Sequence, residues 1–288
     1  MADRFSSAKA IGWSIAFVVL VLVLTGLVAF GLALPITGSA SAASVWLGGS
    51  GPGPVLLQSL AMLLSTALFT WLIGIRVLKL SPQHLRYREL HGGSGFGLGL
   101  VAGALAAGIG LTIAALVGGA VWSRDTGTVA DYAGTVVTTL LVLAPAALAE
   151  EVLFRGVPMV TLAREFGRGT AIVLVAVAFA LVHLANPNVT SLAIGNIALA
   201  GVFLGLAFYA PGGIWTAWGA HLGWNGMLAA LDAPVSGVPF RIPFIDYDPG
   251  APTWLTGGAF GPEGGLASTL ALTIAVLVAR RWAGKDRS

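Results

Sequence analysis

Long apolar runs, broken by short polar or Gly/Pro-rich segments, recur along the chain at about 11–34, 54–79, 94–122, 133–160, 170–185, 191–210, 214–231 and 265–282. Each approaches or exceeds the about 20 apolar residues that carry a helix across a bilayer. In lipid the backbone must satisfy its own hydrogen bonds, so only helices and closed barrels cross. The alternating segments of about ten residues that mark barrel strands are not seen. The pattern therefore predicts an all-α, polytopic membrane helix bundle of about eight transmembrane helices. The whole chain, 1–288, reads as a single membrane domain.

Composition sharpens this picture. Of 288 residues, 57% are hydrophobic and 9% charged, and the mean hydropathy is +0.90; soluble domains carry about 25% charged residues. Cysteine is absent, which removes disulfides, thiolate metal sites and a cysteine nucleophile. The net charge of +3 would suggest nucleic acid in a soluble protein, but here the basic residues follow membrane topology, and no nucleic-acid partner is expected. With the N-terminus in the cytoplasm, Arg4, Lys9, Arg76, Lys79, Arg86, Arg88, Arg164, Arg168, Arg280, Arg281, Lys285 and Arg287 fall inside, and Arg124 and Arg241 outside. That asymmetry predicts two cytoplasmic termini in an integral membrane protein, for which a bacterial or archaeal-type plasma membrane is the expected setting and lipid the first partner.

The first run is too long for a signal peptide and lacks a cleavage site, so it reads as a retained helix. Segment 232–264 is rich in Gly and Pro and carries Asp232, Asp246, Asp248 and Glu263, which predicts an ordered or semi-ordered external loop. Segments 80–91 and 161–169 are basic and amphipathic, as suits connectors at the inner headgroup layer.

Ionisable groups inside membrane spans are costly, about 2.5–3.5 kcal/mol each or more at mid-depth, so every one needs a partner or a wet cavity. They are few: Glu150 and Glu151 in the fourth run, His183 at the end of the fifth, and His221, with Asn225, in the seventh. Glu151 and Arg155 are four apart with the acid first, the favourable order for an ion pair on a helix. Glu150 points about 100° away. Helical geometry thus gives Glu151 a structural pair with Arg155 and turns Glu150 toward a cavity as a candidate general base. Phe179 and His183 share a face one turn apart, as do His221 and Asn225, with Gly219 and Gly223 clearing space around the second pair. Counting about 1.5 Å per residue places Glu150 and His183 at similar depth.

At these residues the sequence resembles the CPBP group of intramembrane proteases, which includes the CAAX prenyl endopeptidase of the Rce type and bacterial relatives linked to abortive infection and bacteriocin self-immunity. "EEVLFR" fits E-E-x-x-x-R, "FALVH" fits F-x-x-x-H, and "HLGWN" fits H-x-x-x-N/B, in the family's order. The resemblance covers the motif-bearing core of four helices, 133–231. It implies that Glu150, His183, His221 and Asn225 are the catalytic group, supported by Glu151, Arg155 and Phe179.

Hydrolysis without a serine or cysteine nucleophile needs an activated water. One route has Glu150 and His183 hold and deprotonate it while His221 and Asn225 stabilise the oxyanion. The other has Glu150, His183 and His221 bind zinc, which lowers the pKa of a bound water to about 7. Both routes stay open at the level of sequence. The expected substrate is a prenylated CAAX-type tail or a membrane-associated peptide reaching a site open toward the cytoplasm. The competing class is a proton-coupled transporter or a scaffold, which buried Glu and His also suit.

Overall fold

The computed structural model describes residues 6–49 and 51–283. Arg4, Lys285 and Arg287 of the topology argument lie outside the described residues. The expected all-α membrane architecture is observed: among the described residues seven helices are long and apolar enough to cross a bilayer. The seventh expected span, 214–231, is not among these seven; it forms a helix of 17 residues, at the short end of the membrane-spanning range of about 17–25.

Two compact units make up the chain, residues 1–88 with 142–175, and residues 89–141 with 176–288. The first contains α1 (Ser7–Thr37), α2 (Ala40–Leu47) and α3 (Pro52–Phe69), which continues into a π-helical turn at Thr70–Val77. Helix α1 ends where Gly38 takes φ 79°, a left-handed value natural to glycine, and its N–H closes on Leu34 O. Ser39 then caps α2, a helix the hydropathy pattern does not announce, by accepting the Ala42 N–H at 3.1 Å.

Helix α4 (Gly92–Gly118) belongs to the second unit, and α5 (Val129–Arg155) starts there and finishes in the first. The expected fourth span, 133–160, is in fact broken at Gly156, after which α6 (Val157–Phe166) opens with Pro158 in its first turn. A Cβ at Gly156 would collide with the Tyr87 hydroxyl and Val152 O, so the break is a close-packed corner. Within α6, Thr161 and Leu162 are buried while Arg164 is exposed; the expected surface connector is a helix buried along its first turns. Helix α1 packs along α3 and α6.

The second unit is built around α4 and α9 (Ile214–Ala230), its most extensive helix pair. Cβ atoms added at Gly99 and Gly103 would strike the backbone of Thr216 and Ala220, and at Gly219 and Gly223 the backbone of Phe96 and Leu100. The two backbones touch, as small residues at fourfold spacing allow. This corrects one expectation: the space cleared by Gly219 and Gly223 is filled by α4. Around this pair lie the end of α7 (Arg168–Val182), a 3-10 turn at His183–Ala185, α8 (Ser191–Phe208) and α11 (Leu266–Ala283).

Segment 232–264 is ordered, with features hydropathy does not reveal. Strand β1 (Val121–Arg124) pairs antiparallel with β2 (Ile245–Asp248), a short α10 (Thr253–Thr256) follows, and 3-10 turns at Gly258–Phe260 and Pro262–Gly264 lead into α11. Asp232 holds the segment's fold by accepting the N–H groups of Ile242 at 2.6 Å and Tyr247 at 3.4 Å.

Candidate active site

In the first unit, the last turn of α5 carries the glutamate pair. Arg155 Nη1 donates to Glu151 Oε1 at 3.0 Å, and both side chains are 0% exposed. Charges removed this completely from solvent persist only when paired. The expected ion pair is therefore present. Glu150, the next residue round the helix, is half-buried, and Phe154 one turn on is buried.

The second unit carries the remaining candidates. Phe179, near the end of α7, is buried, and its carbonyl oxygen lies 2.7 Å from Nδ1 of His183. A carbonyl only accepts, so Nδ1 bears a proton in this contact and Nε2 is the ring nitrogen outside it. The Phe179 ring also lies against both imidazoles, at centroid distances of 4.6 Å to His183 and 6.1 Å to His221, the second edge-on. The sequence places Phe179 beside His183 by helical spacing; its contact with His221 comes only from packing.

His221 is buried at 7% exposure and Asn225, one turn on, is half-buried. Gly219 and Gly223 abut α4, and two residues along a helix is a rotation of about 200°. The face carrying His221 and Asn225 is therefore turned away from α4. Glu150 belongs to the first unit and His183, His221 and Asn225 to the second.

In the sequence Glu263 is one acid of the outer loop. It is buried, and its Oε1 accepts the Trp224 indole N–H at 3.1 Å, while Oε2 accepts the backbone N–H and, at 3.2 Å, the hydroxyl of Ser236. Its carbonyl and that of Gly265 accept from Asn196 Nδ2 on α8 at 2.8 and 2.9 Å. Burial raises the Glu263 carboxyl above the ordinary carboxylate range, opposed by the Ser236 and Trp224 hydrogen bonds and by attraction to His183. The clue in the sequence is faint: an acid inside "GGAFGPEGG", where glycines let the backbone pack close.

Within either unit, no three His, Asp or Glu side chains among the described residues gather as a metal site. A catalytic zinc takes three protein ligands and a water, so neither unit alone supplies the donor set. The orientation of His183 does suit a ligand, since metal-binding histidines commonly give their other N–H to a carbonyl.

Residues 132–227, which contain all three motifs, match the family model described as type II CAAX prenyl endopeptidase, Rce1-like. No curated protein and no solved structure matches the chain.

Proposed function

We propose that the chain is an intramembrane endopeptidase in which Glu150 and His183 activate a water and His221 and Asn225 receive the oxyanion. The observation that carries this reading is the family match over 132–227, because it spans the positions where buried ionisable groups are otherwise hardest to explain. Glu150 takes a proton from the water as its oxygen attacks the scissile carbonyl carbon. His183 orients the water through Nε2, the ring nitrogen other than the one held by the Phe179 carbonyl. Asn225 Nδ2 and a His221 N–H donate to the tetrahedral oxyanion, where such donors act most strongly in a site that excludes water. As the C–N bond breaks, the proton held by Glu150 passes to the departing amine.

Zinc on Glu150, His183 and His221 is the alternative source of the same nucleophile; bound there, it would polarise the water directly. The steps above are written for the side chains alone.

The proposed substrate is a prenylated CAAX-type tail or another membrane-associated peptide entering from the cytoplasmic side, an orientation supported by the distribution of Arg and Lys. The test uses the full chain in lipid nanodiscs with a fluorogenic farnesylated CAAX peptide and a panel of membrane peptides. Cleavage that disappears in Glu150→Gln, His183→Ala and His221→Ala supports the reading. Full cleavage by Glu150→Gln overturns the role of that residue. No cleavage of any peptide, with proton uptake that Glu150→Gln blocks in vesicles, replaces the protease by a transporter. Metal analysis decides the zinc route: stoichiometric zinc lost with both histidines supports it, and a fully active metal-free enzyme removes it.

A further inference from the structure

Three hydrogen bonds run in series between the two histidine-bearing segments. Asn186, three residues after His183, donates from Nδ2 to Ser236 O at 2.9 Å. Ser236 in turn donates its backbone N–H to Glu263 Oε2. The other carboxylate oxygen, Oε1, accepts from Trp224 Nε1, three residues after His221, at 3.1 Å. The chain of contacts thus starts just past one candidate catalytic histidine, crosses the loop, and ends just past the other. Its centre is one carboxylate.

The surrounding structure is arranged to present that carboxylate. Ser236 and Gly237 both take positive φ, 50° and 87°, between the bridged residues Val235 and Val238. This is the geometry of a type I′ turn, and it aims the Ser236 N–H at Glu263. Gly237 donates its N–H to Phe260 O at 2.9 Å, joining the turn to the Glu263 segment. Asn196, 2% exposed, fixes the Glu263 backbone from α8 while its Oδ1 accepts from Thr269 of α11 at 2.7 Å. A carboxylate buried this deeply and used only to tie down a loop would be an expensive choice, since an amide could serve one loop contact. Here both oxygens accept, one from Trp224 and the other from Ser236, which an amide cannot reproduce because its nitrogen has no lone pair to offer.

We infer that Glu263 is a positioning residue of the site, holding the His183 turn and helix α9 in fixed register through Ser236 and Trp224. The inference rests on the protease reading for its kinetic consequence, but the bridge itself does not. In this role Glu263 acts through Ser236 and Trp224, which set where the histidines stand.

The test compares the full chain with Glu263→Gln and Glu263→Asp in nanodiscs by two readouts. The first is amide hydrogen exchange over 183–187 and 221–228, with the indole N–H signal of Trp224. Glu263→Gln is expected to speed exchange in both segments and to shift the Trp224 signal. The second is cleavage of the farnesylated CAAX peptide: Glu263→Gln is expected to lower kcat about 10- to 100-fold, the scale set by misplacement of reacting groups, with KM little changed. Glu263→Asp, which keeps two acceptor oxygens on a shorter arm, should recover part of that loss. An unchanged Trp224 signal, or faster exchange in only one segment, overturns the bridge. A lower melting temperature with kcat per folded molecule intact overturns the positioning role and leaves a structural carboxylate. If the wild-type chain cuts no peptide, the substrate reading fails separately, and the exchange result alone decides the bridge.

Discussion

His183 is held by Phe179 twice over, through Nδ1 at 2.7 Å from the Phe179 carbonyl and through ring contact at 4.6 Å. The carbonyl belongs to the backbone and survives any side-chain change. Phe179→Leu therefore removes only the aromatic surface shared by the two imidazoles. Cleavage is expected to fall about 10-fold while the fold persists, since loss of orientation raises the barrier without removing a reacting group. Steady-state kinetics beside a melting curve checks this; unaltered kcat would show that the ring plays no part in orientation.

The absence of cysteine permits a direct test of whether the motifs converge. Paired substitutions Glu150→Cys with His183→Cys, and His183→Cys with His221→Cys, should crosslink with short reagents in native membranes. Disulfide-range reagents bridge Cα atoms separated by less than about 7 Å, and longer ones report looser neighbours. Failure of the first pair in folded protein would leave Glu150 outside the proposed site.

The Glu151–Arg155 pair is 0% exposed on both sides. Removing one partner strands a buried charge, which costs about 3–5 kcal/mol. Glu151→Gln and Arg155→Met should each destabilise the protein on that scale, while the double variant recovers part of the loss. Thermal unfolding in detergent measures both. An unchanged melting temperature for the single variants would mean that the pair contributes nothing net.

Backbone contact between α4 and α9 leaves no room for a side chain. Gly223→Val would drive a Cβ into Leu100 O and to 3.0 Å from Ala104 N. Overpacking of this kind costs about 1–3 kcal/mol or more, and the helix that carries His221 must shift to relieve it. Reduced yield of folded protein and reduced activity are expected together. Gly93→Ala, where nothing lies within 4 Å, should be tolerated and serves as the control.

Asp232 offers a pH test outside the membrane spans. Burial raises its carboxyl above the ordinary value of 3.8, against the opposing Ile242 and Tyr247 N–H groups, with Asp246 and Asp125 adding to the rise. A raised folded value means that the folded protein holds the proton to higher pH than the unfolded chain. The contribution is then fully present below the ordinary Asp range and is lost as pH rises through the folded value. The difference in melting temperature between wild type and Asp232→Asn should change across that window and be flat above it. A difference that is flat throughout would contradict the raised value.

Sequence alone determined the membrane helices, the Glu151–Arg155 pair and the placing of Phe179 beside His183, because these depend on local rules. About 20 apolar residues must be helical in lipid, and residues four apart share a helix face wherever the helix lies. The same rules did not reveal the break at Gly156, the β1–β2 pairing or the true neighbours of Gly219 and Gly223, each of which depends on a segment distant in sequence. Glu263 is the sharpest case. Along the chain it is a loop acid 39 residues beyond Trp224, with no periodicity to mark it. Only packing brings it to Trp224 and Ser236, because a buried carboxylate must find its donors in space, and hydrogen bonds carry no memory of sequence separation.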